Sequence, residues 1–83
     1  MKSKNNGFRA AETLTELLQA PWVIIYDELN PQKIRKEGIG KELKQAAVQQ
    51  LLKKHSYQQA ERRVEQRLIY LIRNQLIWIK SQA

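Results

Sequence analysis

Cysteine is absent from this sequence, which excludes disulfides and thiolate metal sites. Histidine is nearly absent, with His55 alone. No pairing of nucleophile and base, and no cluster of metal-ligand residues, can be picked out. The chain therefore reads as a non-enzyme, with no cofactor, metal or small-molecule substrate. Long apolar runs are missing, so no membrane span is expected. No apolar stretch follows Lys2-Ser3-Lys4, which argues against a signal peptide and for a cytoplasmic protein. Acidic residues are in deficit: 8 Asp and Glu face 15 Lys and Arg, a formal charge of +7 on 83 residues.

What is present suffices for a fold. Hydrophobic residues make up 42% of the chain, too many for a disordered segment. The length allows one domain, and a domain this small buries only about 60–65% of its unfolded surface. Burial against a partner would therefore help it. Residues 1–7 read as a polar tail, and 8–83 as a single small domain. The ten glutamines are scattered rather than clustered.

The charge is uneven along the chain. Up to Asn30, three bases meet four acids, for a net −1; from Pro31 onward, twelve bases meet four acids, for a net +8. Basic surfaces of this kind serve nucleic acid, acidic membranes or acidic proteins. Membrane docking is disfavoured, because the apolar face it requires is needed for the core.

The expected fold is mainly α with one or a few short strands. Ala10, Leu14, Leu17 and Leu18 favour a helix over 8–20, and a capping box at Thr13-x-x-Glu16 would start it later. Pro21 stops it. Trp22–Tyr26 is short, β-branched and aromatic, and reads as a strand in need of a partner. Asn30-Pro31 opens a short helical turn through Glu37, ended by Gly38. A helix follows over about 41–54. Ser56-x-x-Gln59 caps another from Tyr57 to about Lys80, apolar on one half and carrying Arg62, Arg63, Arg67, Arg73 and Lys80 on the other. A rival reading turns 68–72 and 75–80 into strands that pair with Trp22–Tyr26, a winged-helix-like arrangement. Arg73-Asn74 lacks the glycine that such a hairpin favours, so the long C-terminal helix is preferred.

Four features bear on function. Gly38-Ile39-Gly40-Lys41 resembles the turn of helix-hairpin-helix DNA-binding modules, where backbone N–H groups approach phosphate. Lys41 and Lys44 would add charge, although Lys44 stands where that pattern has a small apolar residue. A plain glycine cap is the simpler reading. Residues 47–67 resemble a helix-turn-helix, with Gln58 and Gln59 toward base edges and Arg62 and Arg63 on phosphates; an ordinary helical hairpin is the alternative. The stripe through Arg67 and Arg73 extends the basic face. Trp22, Tyr26, Tyr70, Ile77 and Trp78 are candidates for a protein interface, with a core position as the alternative for both tryptophans. His55 reads as a helix C-cap, and Glu61 with Glu65 as partners of the interleaved arginines rather than a metal site.

In length and character, from Met1-Lys2-Ser3-Lys4 through Trp22–Tyr26 to Leu68–Lys80, the chain resembles the DdrR-type accessory repressors of a bacterial DNA-damage response. That resemblance implies a co-repressor without enzymatic activity. Its partner would be a self-cleaving LexA/UmuD-like repressor, which it would help to hold its operators. Self-association, direct DNA binding through 47–67, and an antitoxin or phage-type inhibitor that adds its strand to a partner's sheet stand beside it.

Overall fold

The computed structural model describes residues 7–80; the expected tail, apart from Gly7, lies outside the described residues. The chain runs β1 (Phe8–Ala10), α1 (Leu14–Gln19), β2 (Val23–Tyr26), β3 (Ile34–Gly38), α2 (Gly40–Leu51), α3 (Tyr57–Arg73) and β4 (Ile77–Lys80). The strands form one antiparallel sheet in the order β1-β4-β2-β3. The last strand is thus inserted between two from the N-terminal half. Lys80 N–H donates to Trp22 C=O at 2.9 Å, Tyr26 N–H to Leu76 C=O at 2.8 Å, and Ala11 N–H to Ile77 C=O at 2.9 Å.

Strand alternation splits the sheet into two faces. Val23 and Ile25 of β2 and Ile77 and Ile79 of β4 are buried. They share one core with Leu17 of α1, Val48 of α2, and Ala60, Val64, Leu68 and Leu71 of α3. All three helices therefore cover the same face.

Several expectations change. The strand at 22–26 is present, but β2 pairs on both sides and has no free edge to add to a partner's sheet. Residues 8–10 are a strand rather than the start of a helix. Thr13 Oγ1 accepts the Glu16 N–H at 3.2 Å, while the Glu16 carboxylate accepts the Glu12 N–H at 2.9 Å, so a Thr13 N-cap rather than a full capping box sets the late start of α1. The turn expected after Pro31 gives way to β3, because pairing with β2 supplies backbone partners that a short isolated helix could not match.

The long helix stops at Arg73. Gln75 takes a left-handed φ of 58°. Its N–H donates to Ile72 C=O at 2.9 Å, and the Leu76 N–H to Leu71 C=O at 3.0 Å. This is a Schellman ending with glutamine where glycine is usual. Buried Leu71 and Leu76 supply its apolar contact. The winged-helix order fails as well, since residues 68–72 stay helical and only one strand follows α3. That strand does pair with β2, as the rival reading expected.

The glycines at 38 and 40 serve packing. Gly40 opens α2 and is buried, and a Cβ there would lie 2.0 Å from the Leu17 carbonyl oxygen. A strand, not a helix, precedes the turn, so the helix-hairpin-helix likeness is not realised.

Candidate nucleic-acid interface

The α2–α3 unit places a polar helix face outward. Leu52 to Ser56 turn the chain. His55 N–H donates to Leu51 C=O at 3.0 Å, and Ser56 Oγ accepts the Gln59 N–H at 3.3 Å. Apolar positions 60, 64, 68, 71 and 72 bury one side of α3. The other side presents Gln58, Gln59, Arg62, Arg63 and Gln66, all exposed. Positions 59, 62, 63 and 66 follow the i, i+3, i+4, i+7 spacing of a single stripe. With His55 they line one surface depression.

The acids of α3 are kept off this stripe. Glu61 and Glu65 both bind the Lys44 ammonium of α2, at 3.1 and 2.9 Å. The Lys44 side chain is only 15% exposed, and the Glu65 hydrogen bond is the main influence raising its pKa above the usual lysine value. Lys44 is therefore not a nucleic-acid-facing residue. Its flexible stem lets it bridge two glutamates that sequence reasoning assigned to arginines. No acid stands in the first turn of α3.

A second basic group comes from β3. Arg35 and Lys36 line a groove with Arg63 and Arg67, over a floor that includes Ile25, Leu43 and Leu68. The cavity measures about 250 Å³. Arg63 lines both depressions, so the tract is continuous from β3 across α3 to the turn before it. Arg35, Lys36 and Gln66 were not predicted for this site. The run Lys33-Ile34-Arg35-Lys36 was the available signal, masked by the expected helical turn.

Arg67 is held back. Its guanidinium donates to Glu28 in the loop between β2 and β3 and lies 5.2 Å over the Tyr70 ring. Tyr70 Oη donates to the same carboxylate at 2.9 Å. The Arg67 bond, with Tyr70 second, holds the Glu28 carboxyl below the usual range, and Glu28 raises the Tyr70 phenol. Lys41 is exposed in the first turn of α2. Arg73 is exposed in the last turn of α3, about 22 Å from Gln58 at 1.5 Å per residue, and there it suits the helix dipole.

The five candidate interface residues separate. Trp22 and Trp78 share the open face of the sheet. Ile77 is fully buried, a core residue rather than a contact. Tyr26 packs against the core, and Tyr70 is tied to Glu28 on α3. Among the described residues, no three His, Asp or Glu side chains gather as a metal ion would need. No helix among them is long and apolar enough to cross a membrane. No protein-family model, curated protein or solved structure matches the chain.

Proposed function

We propose that this is a non-enzymatic, cytoplasmic transcription co-regulator that contacts duplex DNA through the tract formed by α3 and β3. The observation that carries this reading is the continuity at Arg63. It joins Arg35, Lys36 and Arg67 to a stripe of Gln59, Arg62 and Gln66, while Lys44 turns the helix's own acids away. Guanidinium and ammonium groups neutralise phosphates, and the glutamine amides suit adenine edges. The apolar floor of the groove lies beneath this rim and stabilises the α2–α3 unit that presents it.

The test is fluorescence anisotropy with a random-sequence duplex over a range of salt. Binding should weaken linearly on a log–log scale, as counterion release requires. Arg63→Ala should weaken binding to all sequences and lower the slope by about 1. Absence of binding at low salt would remove the reading.

The resemblance to DdrR-type accessory repressors adds a LexA/UmuD-like repressor to the same function. The observation favouring a protein partner is the exposure of large apolar side chains outside the open face of the sheet, Leu29, Ile69 and Tyr70. A repressor-loaded column that fails to retain the protein, with and without operator DNA, would argue against this addition.

A further inference from the structure

The face of the sheet opposite the helices carries Phe8, Ala10, Trp22, Ile24 and Trp78. Register places them together: Phe8 lies opposite Lys80, and Ala10 opposite Trp78. Trp78 lies opposite Ile24, and Ile24 opposite Glu37. Trp22 is 39% exposed, and none of the five packs against the core. Among the described residues, its two charges are one of each sign. Glu37 accepts the Trp22 indole N–H at 3.0 Å, and Lys80 sits 5.3 Å over the Phe8 ring.

We infer that this face binds a second copy of the same chain, sheet against sheet, about a two-fold axis. The argument is self-complementarity, which a two-fold interface requires. Glu37 is on β3 and Lys80 on β4, with β2 between them. An axis through β2, near Trp22 and Ile24, lays Lys80 of one copy over Glu37 of the other, and does so twice. The apolar residues then meet across the roughly 10 Å spacing of packed sheets. The basic tract belongs to the helix layer and the β3 edge, so the excess charge stays off this interface. A strongly acidic or basic partner would find no matching field here. A single nucleic-acid strand would find aromatic rings without the cationic track such binding uses. The inference does not rest on the DNA reading.

The experiment is size-exclusion chromatography with light scattering on the full chain, without DNA, across the micromolar range. The wild type should be dimeric. Glu37→Lys and Lys80→Glu should each weaken dimerisation at least about tenfold, since each sets two like-charge pairs across the axis. Mixing the two variants should restore the dimer, because each then supplies what the other lacks. Glu42→Lys, an exposed change on α2, should remain dimeric. Circular dichroism checks that each variant is folded.

Lys80→Glu separates the proposal from general repulsion. It lowers the net charge, so repulsion alone would strengthen the dimer. A monomeric wild type overturns the inference. So does a dimer indifferent to both reversals, a mixture that stays monomeric, or a Glu42→Lys variant that dissociates equally. Quenching of tryptophan fluorescence by an oligothymidine bound to a monomer would overturn it in favour of a stacking platform.

Discussion

Charge placement at single residues decides what this surface can do. Among the described residues, Glu28 is the acid bound directly to the basic tract, by Arg67 and with Tyr70 as a second donor. Glu28→Gln should free Arg67 and raise duplex affinity severalfold in anisotropy titrations, by removing a negative charge from the basic tract. Because the Glu28 carboxyl is lowered in the folded chain, its contribution is complete above the ordinary carboxylate range. It fades as pH falls through the lowered value. Protection factors of amides in residues 27–33, corrected for intrinsic exchange, should therefore fall in acid before those of the core strands. Lys44 is the converse case. Its pKa is raised, so its contribution is present below the ordinary lysine range and is lost as pH climbs through the raised value. Lys44→Ala leaves Glu61 and Glu65 facing each other across one turn of α3. It should cost about 1–2 kcal/mol in urea unfolding, and a variant of unchanged midpoint would refute the bridge.

At the scale of elements, the endings carry the topology. The stop of α3 at Gln75 is what allows β4 to fold back between β1 and β2. Gln75→Gly relieves a left-handed backbone at a non-glycine residue and should stabilise the fold by about 1 kcal/mol, read as a raised urea midpoint. Gly40→Ala should do the reverse. Its Cβ would meet a backbone oxygen that no side-chain rotation can move, so a loss of about 3 kcal/mol or more is expected from the same measurement. These two positions also show where sequence legibility ended. The caps at Thr13 and Ser56, the strand at 23–26 and the helices at 40–51 and 57–73 follow from local residue chemistry, and they could be read. The stop at Gln75 carries no glycine or proline, so the helical period seemed to continue to Lys80. The strand at 8–10 is stabilised by a partner distant in sequence and that at 34–38 by the preceding β2, and their own residues carry weak local preferences. The outward stripe Gln58–Arg63 was legible because helical spacing alone defines it. Arg35 and Lys36 join it only through the β2–β3 pairing, and Lys44 leaves it only through packing between α2 and α3.

At the scale of the whole molecule, a +7 chain resolves into two surfaces of different chemistry. The helix layer and the β3 edge carry Arg35, Lys36, Arg62 and Arg63. The open side of the sheet is aromatic and, among the described residues, holds one charge of each sign. Smallness explains the second surface: a single sheet covered by helices on one side leaves Trp22 exposed and Trp78 half-buried on the other. The first surface carries the central claim, and the salt dependence of duplex binding tests it most directly. Anisotropy titrations should give a linear fall of log affinity with log salt, with a slope shallower by about 2 in the Arg62→Ala/Arg63→Ala double variant and unchanged in Arg73→Ala. Equal slopes in the wild type and the double variant would contradict the account.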